Sequence, residues 1–302
     1  MKINQIRPLE AEFTEVLKSI AVMPKMLYFY GILPKKCPTV AIVGTRKNTA
    51  YGEEVAYKAA YELARRGVIV ISGLAYGIDA IAHRGALDAG GVTVAVLGTA
   101  IDRISPARNI GLAREIVAQG GCVMSEYGSG RRTYAYSFLE RNRLIAGLSD
   151  AVLVVEANER SGSLNTAMHA IEQGRELFAV PGDITRPVSQ GCNRLISQGA
   201  TPYTGSEEIL DVLFPGYLAA KRLLSSAKRA KAPGQLALPL GDTPEETCVL
   251  TAIYQGTRDG EEILRACTEK LPGFDVAKFN QTVTMLEIKG LVRALGANQW
   301  GL

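Results

Sequence analysis

The chain is predicted to be an α/β protein, a parallel sheet with helices on both faces, followed by a small winged-helix domain. Three features carry that prediction. Short apolar runs recur at 40–43, 68–71, 92–97, 122–124, 151–155 and 177–180. They do not alternate apolar with polar residues, so both faces of each strand are expected to be covered. Between them lie stretches with helical spacing, such as 53–66, where Val55, Ala59 and Leu63 share one face. A separate block of helical patterns resumes after residue 242 and ends in a hairpin-like stretch.

Taken in order, residues 1–38 read as a short N-terminal helical extension. Its 8–20 segment spaces Leu9, Phe13, Val16, Leu17 and Ile20 as one amphipathic helix packed on the main domain. Residues 39–215 form the sheet domain. The stretch 216–241 is a basic linker, partly helical at its start, carrying Lys221, Arg222, Lys228, Arg229 and Lys231, two prolines and no acidic residue. In 242–302, Thr243-Pro244-Glu245-Glu246 is a capping box with proline at the first helical position. Helices are expected at 244–254, 261–270 and 276–289, the last with Val276, Phe279, Val283 and Leu286 turned inward; Gly290 ends it before a two-stranded wing. Residues 243–302 hold eight acidic and six basic side chains, with Lys278 and Lys289 alone on the presumed recognition helix. That balance suits protein contact or a structural role better than gripping duplex phosphates.

Composition narrows the function. The 47% hydrophobic and 21% charged content is that of a soluble globular protein. No apolar run is long enough for a bilayer, and MKINQIRPLEAEF lacks the core of a signal peptide, so a cytoplasmic location is expected. Five scattered cysteines without a CxxC pair and only two histidines argue against a disulfide framework or a zinc site; no cofactor and no metal are expected. The net charge of +4 permits an acidic partner without demanding one.

Parallel sheets bind ligands beyond the carboxyl ends of their strands, and four stretches fall there. Gly44-Thr45-Arg46 follows the first strand: glycine allows close approach, and a hydroxyl, amides and a guanidinium suit an anion. The plain alternative is a strand-to-helix turn with a solvated arginine. No Walker A or GxGxxG spacing occurs. Gly73 lies in a glycine-spaced turn after the second strand, where Asp79 could cap the helix carrying His83, a histidine read as structural. Arg108 follows the third strand. In the fourth stretch, Arg131, Arg132, Phe138, Arg141, Asn142 and Arg143 are interleaved with Tyr127, Tyr134 and Tyr136, a mixture that suits unpaired nucleic acid. Past the next strand come Ser161, Gly162 and Ser163, with Ser163 a candidate N-cap of a helix whose amides face an anion. Capping, and ion pairs to Glu126, Glu140 or Glu156, would explain the same residues without a ligand. Emerging from one sheet edge, Arg46, Gly73, Arg108, Arg141, Arg143 and Ser161 are expected to line one groove without a catalytic residue.

The motifs VAIVGTR, ISGLAYGIDAIAH, VAVLGTAIDRI, MSEY, FLERNRLIAGLSDAVLVVEA, SGSLNTA, VPGD and GCNRLISQGA occur in this order. Over about residues 25–212 the chain thereby resembles the DNA-processing protein A (Smf) family, and MLEIKGLV is similar to that family's winged helix. The resemblance implies an extended Rossmann-like domain that binds single-stranded DNA. It implies a homodimer that protects incoming strands and helps load the RecA recombinase in natural transformation. It assigns DNA contact to Gly44, Thr45 and Arg46, to Phe138, and to Arg141, Asn142 and Arg143. The family's YPxxN reads Ser105-Pro106-Ala107-Arg108-Asn109 here, so any role of that tyrosine is lost, and the first 38 residues have no room for a sterile-alpha-like domain.

Two further readings stay open. The topology is similar to that of phosphoribohydrolases, making a nucleotide-binding or hydrolytic protein the alternative, but SGSLNTAMHA lacks the glutamate of their PGGxGTxxE loop. QLALPL, with Gln235, Leu236, Leu238 and Leu240, resembles peptides that dock on the replication sliding clamp; an apolar linker folded back on a domain is the alternative.

Overall fold

The computed structural model describes residues 2–215, 217, 243–254, 257–296 and 298–301. The chain divides into two compact units, residues 1–209 and 210–302. Most of the expected basic linker, including 235–240, lies outside the described residues.

The first unit holds strands β1 (Asn4–Ile6), β2 (Leu27–Gly31), β3 (Thr39–Val43), β4 (Ile69–Ser72), β5 (Thr93–Leu97), β6 (Cys122–Ser125), β7 (Ala151–Val154), β8 (Glu176–Ala179) and β9 (Thr201–Pro202). They form one sheet in the order β1-β2-β6-β5-β4-β3-β7-β8-β9. From β6 to β9 the pairs are parallel, whereas β1 and β2 join antiparallel at one edge. The helices are α1 (Glu12–Glu15), α2 (Ala50–Ala64), α3 (Ile78–Asp88), α4 (Ile110–Ala118), α5 (Ser137–Gly147), α6 (Gly162–Glu172) and α7 (Pro187–Ser197); α8 (Ser206–Leu213) spans the unit boundary. Every residue of β3, β4, β5, β6 and β7 is buried. In β5, Val94 and Val96 pack in one core cluster and Ala95 and Leu97 in another, so side chains alternate between two covered faces.

The N-terminal region departs from expectation. Residues 8–20 are a short α-helix between two 3-10 turns, because Ala11 is extended (φ −135°, ψ 136°) and interrupts the helical path. Thr14 Oγ1 donates to Pro8 O across that break at 2.7 Å. Phe13, Leu17 and Ile20 are buried as expected, whereas Leu9 is exposed. The region also contributes β1 and β2, so it is part of the sheet and not a purely helical extension. Leu27-Tyr-Phe-Tyr-Gly31 has the aromatic content of a strand, and that was the available signal.

From β3 the chain moves outward through β4, β5 and β6, then returns by way of α5 to lay β7 on the other side of β3. The order reverses between β3 and β7. Loops leaving two such strands diverge and open a crevice at their carboxyl ends.

The second unit contains α9 (Pro244–Tyr254), α10 (Gly260–Thr268), α11 (Val276–Ile288) and the hairpin β10 (Arg293–Gly296) and β11 (Gln299–Gly301). Thr243 Oγ1 accepts from Glu246 N, Asp259 Oδ1 from Glu261 N and Glu262 N, and Asp275 Oδ1 from Lys278 N, so each helix start has a side-chain acceptor. Phe279, Val283 and Leu286 are buried with Ile263 and Cys267. Val276 is 59% exposed, contrary to expectation, because it occupies the first turn beyond the packed stripe. Lys289 is ion-paired with Glu246 at 2.6 Å, which occupies one of the two lysines expected on the recognition helix. No helix among the described residues is long and apolar enough to cross a membrane.

Candidate nucleic-acid interface

The loop after β3 is fixed from β7's side of the crevice. Thr45 N donates to Glu156 O at 2.7 Å. The Glu156 side chain, 3% exposed, accepts from Thr49 N at 2.9 Å and Thr49 Oγ1 at 2.6 Å. Thr49 in turn caps α2. Gly44 tolerates no side chain, since a Cβ would stand 2.6 Å from Ile78 Cγ1 and 3.0 Å from Glu156 O. With both ends held, the loop presents Arg46 and Lys47 to solvent. The Arg46 guanidinium lies 5.8 Å from the centre of the Phe138 ring.

Helix α5 carries the arginine-rich triplet, and its members have separate fates. Arg141 is 5% exposed; Nη1 donates to Gly73 O at 2.8 Å and to Val96 O, and Nε to Asn142 Oδ1 at 3.2 Å. These carbonyls end β4 and β5, where the ladder leaves acceptors to satisfy. Arg141 therefore braces the floor of the site and does not extend toward a phosphate, which corrects the expectation. Burial pulls it down to about 10, opposed by the charge of Asp79. Burial raises Asp79 in turn, opposed by Arg141 and by the amides of Ala75 and Gly73. Asp79 accepts from those two amides and does not cap α3, whose N-cap is Gly77. His83 is pushed down to about 3 by burial and by Arg141; its Nδ1 bonds Thr93 Oγ1 at 2.7 Å.

Asn142 Nδ2 donates to Gly162 O at 3.2 Å and Asn165 Oδ1 at 3.1 Å, tying α5 to the start of α6. Arg143 is spent on Glu126, with Nη2 2.7 and 2.8 Å from its carboxylate oxygens and a side chain 13% exposed. The N-cap of α6 is Ser161, accepting from Ser163 N at 3.4 Å, and not Ser163.

These pieces enclose a cleft of ≈ 530 Å³ lined by Gly44, Thr45, Arg46, Phe138, Arg141, Asn142, Ser161, Gly162 and Ser163. Val43, Ile145 and Val188 add apolar wall, while Lys47 and Arg160 add cations. Arg46, Lys47 and Arg160 are exposed and make no ion pair with any described residue. Asp79 is the single carboxylate among the described lining residues, and it is held beneath the floor.

The single expected groove is thus divided. Arg108 lines a different hollow beside α2, α3 and α4 with Glu53, Tyr57 and Arg84, because it sits at the start of α4. Gly73 is buried under the Arg141 guanidinium. Arg131 lies over Tyr127 at 3.8 Å and Arg132 near Tyr134 at 5.9 Å, both on the loop before α5 and outside the cleft lining. Among the described residues no group of three His, Cys, Asp or Glu could hold a metal ion.

A sequence model of the family described as DNA recombination-mediator protein A matches residues 4–214, the span that builds the sheet and cleft. The chain belongs to that family. Protein Smf of Escherichia coli strain K12 is 50% identical over 174 residues, 58% of this chain and 46% of that protein. DNA processing protein A of Bacillus subtilis strain 168 is 39% identical over 213 residues, 70% of this chain and 71% of that protein. The solved DNA processing protein A of Streptococcus pneumoniae superposes with a TM-score of 0.62 at 37% identity, covering 70% of this chain and 74% of that one. That of Helicobacter pylori, whose structure concerns its single-stranded DNA binding mode, has a TM-score of 0.62 at 31% identity and covers 70% and 96%. The chain spans about half the length of several curated relatives it matches.

At this cleft, sequence reasoning missed Lys47, Arg160 and Glu156. Lys47 and Arg160 adjoin Arg46 and Ser161, so extending each motif by one residue would have found them. Glu156 was read as an ion-pair partner for arginine; its bonds to Thr49 appear only in the tertiary structure.

Proposed function

We propose that this chain binds single-stranded DNA in the cleft beside β3 and β7, as a recombination mediator without catalytic activity. The observation that carries the reading is a rim of three exposed cations, Arg46, Lys47 and Arg160, without an ion pair among the described residues and with Arg46 set against the Phe138 ring. Guanidinium and ammonium groups suit backbone phosphates, and an aromatic edge suits an unstacked base. Ser161 Oγ and the first amides of α6 add a polar, weakly positive end. A phosphoribohydrolase would need a carboxylate poised at the rim, and the one carboxylate among the described lining residues accepts from two amides instead. In this reading the protein works in the cytoplasm, acts as a homodimer and hands bound strands to the RecA recombinase. Docking on the sliding clamp through Gln235, Leu236, Leu238 and Leu240 rests on sequence alone, those residues lying outside the described ones.

The test is anisotropy of labelled single- and double-stranded oligonucleotides at two salt concentrations, with a mononucleotide as competitor. The single strand should bind tightest and lose affinity with salt. Equal affinity for the mononucleotide, or release of free base from it, would replace this reading with the nucleotide-binding or phosphoribohydrolase one.

A further inference from the structure

The loop between β6 and α5 builds a second aromatic and cationic surface. Tyr134 and Tyr136 are 42% and 51% exposed, yet their rings stack on one another with centroids 5.2 Å apart and planes 8° from parallel. Stacking shields one face of each ring and leaves the others open to solvent, and neither phenol hydroxyl has a hydrogen-bond partner among the described residues. Their backbone is fixed: Tyr134 O accepts from Ser137 N, and Tyr136 O from Leu139 N and Glu140 N. The pair is therefore anchored just ahead of α5, the helix that brings Phe138, Leu139 and Asn142 into the cleft.

Two exposed guanidiniums precede the pair in the chain. Arg131 and Arg132 are exposed, and neither pairs with a carboxylate among the described residues. The acids nearby in the chain are engaged: Glu126 holds Arg143, Glu140 accepts from Tyr127 Oη at 2.8 Å, and Asp102 accepts from Gly130 N at 3.0 Å. An exposed aromatic pair with Arg132 beside it, and Arg131 stacked on the neighbouring Tyr127, is complementary to an unpaired polynucleotide, whose bases offer rings and whose backbone offers phosphates.

We infer that the stacked Tyr134–Tyr136 pair, with Arg131 and Arg132, is a base-stacking platform for the single strand as it leaves the cleft. The inference rests on the cleft reading for its direction, and the experiment separates the two. Affinity is measured for a thymidylate of about four nucleotides, short enough for the cleft alone, and one of about twenty, long enough to reach beyond it. Tyr134→Ala with Tyr136→Ala should weaken the long strand about tenfold or more and leave the short one within about twofold, while the Phe/Phe counterpart keeps both affinities. Unchanged long-strand binding would overturn the platform. Equal losses on both strands would also overturn it, since the rings would then be acting through α5 on the cleft. If Arg46→Ala leaves both strands unaffected while the double alanine variant loses the long one, the cleft reading falls and the platform stands. Photocrosslinking of a 5-iododeoxyuridine strand to the unsubstituted chain gives a check free of any folding defect. Adducts at Tyr134 or Tyr136 support the platform, and adducts confined to other residues overturn it.

Discussion

Two arginines quoted together as DNA ligands should behave oppositely when removed. Arg46 is exposed and makes no ion pair with a described residue, whereas Arg143 spends its charge on both oxygens of Glu126. On single strands, each phosphate neutralised contributes about 0.7 to the slope of log affinity against log salt. The three rim cations together therefore account for a slope of about 2. Arg46→Ala should lower the slope by about 0.7, which is about 2.6-fold less loss of affinity between roughly 50 and 200 mM salt. The Arg46, Lys47 and Arg160 triple alanine variant should lose nearly the whole slope contributed by the cleft. Arg143→Ala made together with Glu126→Ala removes a neutral pair and should leave the slope unchanged. The assay is anisotropy of a labelled oligothymidylate across a salt series, with melting curves to show that each variant is folded. A slope that falls in the Arg143/Glu126 variant but not in Arg46→Ala would refute the reasoning, because the phosphate path would then follow the outer side of α5.

Phe138→Ala should weaken single-strand binding by about 1–3 kcal/mol if a base stacks on the ring, read by the same anisotropy titration at fixed salt. Arg141→Met should lower stability by about 1–3 kcal/mol or more in denaturant unfolding, because the carbonyls of Gly73 and Val96 would lose their buried donor. A loss below about 1 kcal/mol would mean the guanidinium is not the brace described. Gly44→Ala should destabilise by about 1–3 kcal/mol, since its Cβ meets Ile78 at 2.6 Å; a neutral effect on the melting temperature would contradict that packing. His83 is lowered to about 3 in the folded chain from 6.5, so the unfolded state binds the extra proton between those values. Its contribution is fully present above pH 6.5 and is lost as the pH falls toward 3, at about 1.4 kcal/mol per pH unit. Subtracting the profile of His83→Gln isolates this slope from the opposing effect of Asp79, and superimposable profiles would show that His83 is not buried in neutral form.

The strands β3 to β8 were legible in the sequence because a strand covered on both faces must be apolar throughout, and Thr39–Val43 or Thr93–Leu97 leaves few other choices. The helices of the second unit were legible from local signals, the Thr243 cap and the spacing of Phe279, Val283 and Leu286, while the caps supplied by Asp259 and Asp275 came from the structure. The N-terminal strands escaped because their pairing partner is distant, Tyr28 lying opposite Ser125. The cleft motifs were legible one at a time, as glycine, hydroxyl and arginine at strand ends. The sequence by itself thus determined the layered architecture and the family, since periodicity, caps and ordered motifs are local properties. Only the tertiary structure decided which cations remain available. Arg46, Arg141 and Arg143 have the same chemistry, but their roles follow from neighbours far along the chain: the Phe138 ring, the carbonyls of Gly73 and Val96, and the carboxylate of Glu126. A guanidinium's charge is intrinsic to the residue, whereas its exposure and pairing depend on what the fold places beside it.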